Sequence, residues 1–380
     1  MNQTATPDEA DRHPATQVRR HLLIGTGAIA RAHASAVAAE RPRAAVTYAV
    51  DVDQTRAAEF AARHDVPRWG TDLAEALDTR PDLAHICTPP GSHVPLALQC
   101  LQAGVPVLLE KPPALSLAEM DELLAASEHT GVDVAVVFQH RFGPAGRRLS
   151  RLLAEGALGR PLVATCDTLW FRAPEYFAVP WRGKWEVEGG GPTMGHGIHQ
   201  FDLLLTLMGR WSEVSAMAGR LARDTATEDV STALVRFDNG ALATLVNSLL
   251  SPRQTSALRI DTERATVEVE HLYGYTDTDW RLTPAPGEEA VLDLWQVGDG
   301  DVTSGHPHQL AEILNAMDAG EPLPVTLREA RDTLELIAAI YASAFTGAIV
   351  RRGEIGPGHP FYTRMDGTGA PWCKTAEVES

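Results

Sequence analysis

Lysine is nearly missing from this chain: of 33 basic residues only Lys111, Lys184 and Lys374 are lysine, and the other cations are written as arginine. Such a bias makes each retained lysine a candidate for a compact, tunable point charge that a planar guanidinium cannot supply. Positive charge is short overall. Against 50 acidic residues the formal charge is -17, which excludes the basic footprint of a nucleic-acid partner and of an anionic membrane surface. No apolar run approaches the roughly 20 residues of a membrane span. Residues 1–18 carry Asp8, Glu9, Asp11 and Arg12 and have no apolar h-region, so they read as a disordered tail and not as a secretory signal. Cysteine is also sparse. Cys87, Cys100, Cys166 and Cys373 form no C-x-x-C pair, which excludes a zinc ribbon or a disulfide framework and predicts reduced, mostly buried thiols in a cytoplasmic protein.

What is present fills two domains, since 380 residues are long for one core and comfortable for two. Over residues 19–141 short β-rich runs alternate with alanine-rich helical stretches, the pattern of a doubly wound parallel sheet. The predicted strands are His21–Ile24, Val46–Val50, Leu83–Cys87, Val107–Leu109 and Val134–Phe138. From 142 to 350 the runs lengthen and alternate: Leu162–Trp170, Val214–Leu221, Ser231–Phe237, Ala241–Leu249, Leu258–Thr262 and Thr266–Glu270. They predict an α+β domain with a large, mainly antiparallel sheet, closed by helices through Asp202–Leu205 and Arg328–Phe345. Asp238-Asn239-Gly240 signals a type I′ hairpin. Residues 351–380, with Gly358-His359-Pro360-Phe361-Tyr362, read as a C-terminal arm.

The motifs sit where such a sheet binds ligands. Gly25-Thr26-Gly27-Ala28-Ile29-Ala30 follows the apolar run Leu22-Leu23-Ile24 as a G-x-G-x-x-A turn, whose glycines let backbone approach a pyrophosphate at a helix N-terminus. Asp51 ends the second predicted strand, 26 residues after Gly25. There a carboxylate accepts bonds from the adenosine ribose and repels a 2′-phosphate, favouring NAD over NADP; Asp53 reads as the neighbouring helix cap. Thr88 and Pro90 in Cys87-Thr88-Pro89-Pro90-Gly91-Ser92-His93 border the cofactor. His93 either meets its nicotinamide end or caps the helix over 94–103. Glu110-Lys111-Pro112-Pro113 places an ammonium group beside the same cofactor.

Gly25-Thr26-Gly27 with Ala30, Thr88-Pro89-Pro90 with His93, and Glu110-Lys111-Pro112 resemble the glucose-fructose oxidoreductase, inositol dehydrogenase and rhizopine-catabolism (Gfo/Idh/MocA) family. The segment Gly189-Gly190-Gly191-Pro192-Thr193-Met194-Gly195-His196-Gly197-Ile198-His199-Gln200-Phe201-Asp202 resembles its second signature, and Glu228-Asp229 with the Asn239-Gly240 hairpin resembles its sheet. The likeness runs from about Arg19 to Gly347. It implies an NAD-dependent dehydrogenase with Lys111 and His199 at the hydride-transfer site, and a homodimer or homotetramer built on the second sheet. One departure stands out. The family commonly has an aspartate four residues before the motif histidine, and here that position is Gly195, followed by His196. Either His196 enters the space and assists proton transfer, or Lys111 and His199 act alone, or catalysis is lost; the free volume at Gly191, Gly195 and Gly197 favours a reshaped, active pocket.

Residue chemistry points the same way. Oxidising a secondary alcohol needs a hydride acceptor and a group to take the hydroxyl proton, and an imidazole titrating near neutrality suits the second task. His199 is that base, and Lys111 stabilises the developing alkoxide. Trp170, Phe171, Tyr176, Phe177, Trp181 and Trp185, interleaved with Arg172, Arg182 and Lys184, suit the apolar faces and hydroxyl edges of a sugar or cyclitol, although about half of these rings would be core or interface residues. Tyr176, Trp181, Arg182, Lys184, His196 and His306 are therefore predicted to line the substrate. No metal is expected, because His196, His199, His306 and His308 lack ligand spacing. Two rivals remain: a glycoside-cleaving enzyme that uses bound NAD transiently, and a non-catalytic NAD-binding regulator.

Overall fold

The computed structural model describes residues 18–296 and 302–373. The tail predicted over 1–18 lies, apart from Val18, outside them, as does the end of the arm, 374–380.

A six-stranded parallel sheet occupies the first third of the chain, in the order β3-β2-β1-β4-β5-β6. Its strands are β1 (Arg19–Ile24), β2 (Ala44–Val50), β3 (Trp69–Gly70), β4 (Leu83–Ile86), β5 (Val107–Leu109) and β6 (Val134–Val136). The two-residue β3 escaped prediction because it is too short to carry a period. Helices α1 (Ala30–Ala39), α2 (Gln54–His64), α3 (Leu73–Asp78), α4 (His93–Gln102) and α5 (Leu117–Thr130) make the crossovers. Strands buried on both faces read as continuous apolar runs, and Leu83–Ile86, Val107–Leu109 and Val134–Val136 are buried throughout. Asp53 caps α2 through Thr55 and Arg56, as expected.

Helices α6 (Pro144–Ala154), α7 (Trp185–Glu188), α8 (Pro192–Gly195) and α9 (Ile198–Met208) lead into and through the second layer. Its eight-stranded sheet runs β13-β12-β11-β7-β10-β9-β8-β14. These strands are β7 (Pro161–Phe171), β8 (Trp211–Gly219), β9 (Val230–Phe237), β10 (Leu242–Ser248), β11 (Leu250–Thr262), β12 (Ala265–His271), β13 (Trp280–Pro284) and β14 (Val350–Arg351). Only the β7 and β10 pair is parallel; the rest is antiparallel. The turn at Asp238-Asn239-Gly240 is not type I′, which needs positive φ at two residues. Gly240 alone has positive φ, at 87°, and Phe237 and Ala241 close a three-residue loop.

Two late helices, α10 (His306–Ala319) and α11 (Leu327–Thr346), return to the first sheet. Leu310, Ile313 and Leu314 of α10 join Val37, Leu83, Leu108 and Val137 in one apolar cluster. Just before α11 the Val325 carbonyl accepts the Val136 amide at 3.0 Å, and a bridge pairs Ala135 with Thr326. Thr326 and Glu329 then form a reciprocal capping box. The helix runs on to β8, where Ser343 Oγ accepts the Ala216 amide at 3.0 Å. The main core is accordingly continuous, from Leu22 and Ile86 through Phe201 to Ile340. A four-residue helix, α12 (Pro360–Thr363), closes the described chain with Phe361 buried.

Candidate active site

The carboxyl end of the first sheet carries the cofactor motifs. Gly25 has φ of 87°, and a Cβ there would stand 2.7 Å from Thr88 Cγ2, so the turn and β4 close on each other only through glycine. A Cβ on Gly27 would meet nothing within 4 Å. Beside it Ile29 offers α1 no side-chain cap, and the first-turn N–H groups of an uncapped helix are donors for an anion. Gly25, Thr26, Gly27, Ala28 and Ile29 thus form a cradle that fits a pyrophosphate. Asp51 is buried at the end of β2 and accepts Thr26 N and Oγ1, both at 2.9 Å, and Arg56 Nη2 at 3.0 Å. Burial would raise its pKa, but the Asp53 and Thr26 donors and the Arg56 charge hold it below the usual carboxylate value. Thr88 and Pro90 follow β4 as predicted. His93 is fully buried as the first residue of α4, with Nδ1 2.8 Å from Pro112 O and Nε2 2.8 Å from Thr88 O. Both nitrogens are engaged by backbone, so it ties the Thr88 loop to Pro112 and neither caps the helix nor reaches a nicotinamide.

Glu110 is more enclosed than its motif suggests. Oε2 accepts the Lys111 amide at 3.1 Å, while Oε1 meets His33 Nε2 at 2.9 Å and His306 Nε2 at 3.0 Å. Burial opposes its charge, yet the two imidazoles hold its carboxyl well below the normal range. Protein donors occupy both oxygens, which corrects the cofactor contact expected of Glu110, and half-buried His306 spends its Nε2 on that carboxylate. The chain continues inward: His33 Nδ1 lies 2.8 Å from His85 Nδ1, and His85 Nε2 lies 2.8 Å from His21 Nδ1. One set of neutral tautomers satisfies it, each ring donating toward Glu110. His21 Nε2 is left buried without a partner, and burial lowers the His21 pKa to about 4. His33, Glu110 and His306 offer ligand atoms all within 4.8 Å of one another, a grouping from distant segments that spacing does not disclose.

Lys111 leaves this support and crosses to the second domain, where Nζ donates to the Gly195 carbonyl at 3.0 Å. Backbone oxygen therefore meets the ammonium at the position where the family's aspartate is absent, and a Cβ at Gly195 would find open space. Burial lowers the Lys111 pKa, with Arg182 adding to the effect and Glu110 and Glu188 opposing it. His199 is buried in the first turn of α9, and neither ring nitrogen has a partner. Its ring lies 5.0 Å from His140 and 5.7 Å from Tyr273. Burial, then the charges of Lys111 and His140, push its pKa well below 6.5. The expectation of an imidazole titrating near neutrality is thereby corrected, because among the described residues no carboxylate partners the ring. His196 is half-buried; desolvation, then Lys111, Arg172 and Arg182, push its pKa well below 6.5, and its ring packs 5.0 Å from Trp170 and 6.3 Å from Tyr176.

The segment between β7 and α8 builds the outer wall. Arg182 lies over Tyr176 at 3.9 Å and over Trp181 at 4.3 Å. Arg172 lies over Trp170 at 4.6 Å and Tyr176 at 5.1 Å. Trp185 instead is buried against Tyr341, and Lys184 stands exposed at the N-cap of α7; neither is enclosed with Lys111 and His199. Glu228 shapes the floor by accepting Gly191 N at 3.0 Å, Thr193 N at 3.1 Å and the Tyr341 hydroxyl at 2.8 Å. A Cβ on Gly191 would fall 2.0 Å from the Glu228 carbonyl, so the approach requires glycine. Burial pushes the Glu228 pKa up to about 6.

Sequence reasoning missed His140, Tyr273 and the His21, His85 and His33 series. His140 follows β6 at the sheet's ligand edge, a signal that was available. Both its nitrogens are buried and unpartnered. Tyr273 lies in an irregular loop after β12 and carries no local signal.

A dinucleotide cradle facing a lysine and an unpartnered buried histidine defines an oxidoreductase site, and sequence comparison agrees. Residues 19–138 match the oxidoreductase family with an NAD-binding Rossmann fold, and residues 147–268 match the Gfo/Idh/MocA C-terminal domain. The chain belongs to the Gfo/Idh/MocA oxidoreductase family. It is 27% identical over 358 residues to D-glucoside 3-dehydrogenase of Escherichia coli K12, covering 87% of this chain and 97% of that one. It is 29% identical over 361 residues to D-apiose dehydrogenase of Paraburkholderia graminis, covering 88% and 90%. The crystal structure of the WlbA dehydrogenase from Bordetella pertussis, in complex with NADH and UDP-GlcNAcA, superposes with a TM-score of 0.75 at 27% identity, covering 88% of this chain and 99% of that one.

Proposed function

We propose that this protein is an NAD-dependent dehydrogenase that oxidises a secondary hydroxyl of a sugar, sugar derivative or inositol-type cyclitol. The observation that carries the reading is His199, buried with two unpartnered ring nitrogens on the helix that follows the Gly195 carbonyl bound by Lys111. Bound NAD supplies the hydride acceptor. His199, neutral because burial lowers its pKa, takes the hydroxyl proton at one of those nitrogens. Lys111 donates to the oxygen as alkoxide character develops, inside a site where burial magnifies the interaction. The names of the glucoside and apiose dehydrogenase relatives support a polyhydroxylated substrate. Retention of both groups argues against a non-catalytic regulator.

The exposed apolar residues Val163, Leu234, Leu242 and Ile349 support a dimer or tetramer in which a second copy covers the open face of the eight-stranded sheet; light scattering tests it. NADH formation from a panel of aldoses, glycosides and cyclitols tests the activity. Lys111→Ala should lower turnover by ~100-fold or more, and His199→Asn by ~100-fold to 10,000-fold. Near-parental rates in both variants would refute these roles, and glycoside cleavage without net NADH would favour transient use of the cofactor.

A further inference from the structure

The wall beside His196 holds more positive charge than the protein balances. Arg172 spends one Nη hydrogen on the Phe171 carbonyl at 3.1 Å and sits over the rings of Trp170 and Tyr176. Its Nε is buried and has no partner. Among the described residues no carboxylate lies within ion-pair distance of Arg172 or of Lys111, and Arg182 has only Glu188, at 3.7 Å. Glu188 gives its Oε2 to the Gly183 amide at 2.5 Å and leaves only Oε1 toward Arg182, whose Nη1 also donates to the Tyr176 hydroxyl. Arg223 adds a third guanidinium, donating from Nε to the Arg172 carbonyl at 2.8 Å. This shortage of anions occurs in a chain with 50 acidic residues, where carboxylates elsewhere pair freely with arginine. A cation withdrawn from water without a partner is costly, and an unpartnered buried donor demands an acceptor that the chain does not provide.

The same rings connect this charge to the reaction centre. Trp170 and Tyr176, the two faces under Arg172, also flank His196. His196 adjoins Gly195, whose carbonyl holds the Lys111 ammonium. A ligand reacting at Lys111 and His199 therefore extends, past His196, toward the guanidinium groups. Arginine's fork matches a carboxylate or a phosphate with paired hydrogen bonds, and the aromatic faces hold it in place.

We propose that Arg172 and Arg182, mounted on Trp170 and Tyr176, form a subsite for an anionic group, and that the substrate is a sugar bearing a carboxylate or a phosphate away from the carbon that is oxidised. The inference rests on the dehydrogenase reading above and sharpens its substrate class.

Matched ligands test it on the full chain with NAD bound. D-glucose, D-glucuronate, D-glucose 6-phosphate and inorganic phosphate are titrated against tryptophan fluorescence, to which Trp170 and Trp181 contribute, and the three sugars are also assayed for NADH formation. At least one anionic sugar should bind ~10-fold or more tightly than glucose, and which of the two does so separates the carboxylate from the phosphate source. Arg172→Gln should collapse that ratio about tenfold, Arg182→Gln should reduce it, and Arg172→Lys should keep part of it. Equal binding of glucose and its anionic forms, no binding of any anion at tens of millimolar, or a ratio that survives both glutamine variants would overturn the subsite. So would a parallel loss of NADH affinity in Arg172→Gln, since the cation would then serve the cofactor. Arginine-dependent anion binding with no NADH from any sugar would sink the dehydrogenase reading and leave the subsite standing; NADH from glucose without preference would do the reverse.

Discussion

Gly195→Asp would restore a carboxylate where this chain has backbone alone, and its effect is predictable in sign. Gly195 lies in the last turn of α8 at ordinary φ, with open space around a built Cβ, so the substitution adds charge without strain. Its carboxylate would arise next to Lys111 Nζ, which bonds the same residue's carbonyl, and four residues before His199. An opposite charge within ~4–6 Å favours the protonated form of a base by about 1–3 pKa units, each worth ~1.36 kcal/mol. Alcohol oxidation requires His199 unprotonated and Lys111 protonated. In the parent both pKa values are depressed by burial: the rate climbs as pH rises through the His199 value, well below 6.5, and falls as pH rises through the Lys111 value, below 10.5. Aspartate at 195 should raise both, moving the whole bell of kcat/KM toward higher pH by about 1–3 units, with Gly195→Asn as the uncharged control whose limbs stay in place. Turnover measured from pH 5 to 10 in parent and both variants decides it. An acid limb that does not move, or moves down, in a folded aspartate variant would refute the assignment of that limb to His199.

Three other outcomes are expected. Titration of both cofactors should show NAD bound at least ~10-fold more tightly than NADP, a gap of ~1.4 kcal/mol, and Asp51→Ser should narrow it, because Arg56 now bonds Asp51 and would be released toward a 2′-phosphate. Six buried histidines, His21, His33, His85, His93, His140 and His199, have pKa values lowered by burial; the stability this contributes is complete above pH 6.5 and is lost as pH falls below it. Denaturant midpoints should therefore fall as pH drops below 6.5; a flat profile would show that the rings accept protons where they stand. Asp202→Ala removes the fully buried partner that takes Arg141 Nε at 2.7 Å and Nη2 at 2.6 Å and should cost ~3–5 kcal/mol in urea melts, while Glu329→Ala, deleting Arg141's more exposed partner, should cost well under half of that.

The first sheet was legible because its strands are short apolar runs punctuated by glycine and proline, and the cofactor turn because a strand followed by G-x-G-x-x-A has one physical use. Lys111 and His199 were legible through their motifs. Their protonation was not, since the pKa of an imidazole depends on what surrounds it, and the surroundings of His199 come from 111, 140 and 273, segments far apart in sequence. Glu110 misled for the same reason: its motif predicts a neighbour of the cofactor, whereas His33 and His306, 77 and 196 positions away, claim one of its oxygens. The Asp238-Asn239-Gly240 turn was located correctly but its type was not, because Asn239 tolerates both signs of φ and the strand register decided between them.

The return of α10 and α11 to the first sheet has a consequence for how the protein is made. When residues 19–141 leave the ribosome, the face formed by Val37, Leu83, Leu108 and Val137 has no cover, because Leu310, Ile313 and Leu314 are still about 170 residues from being synthesised. The β6 edge likewise waits for Val325 and Thr326. Nascent chains thus carry an apolar face and an open strand edge through most of translation, and the nucleotide-binding module becomes complete only when the last quarter of the polypeptide arrives.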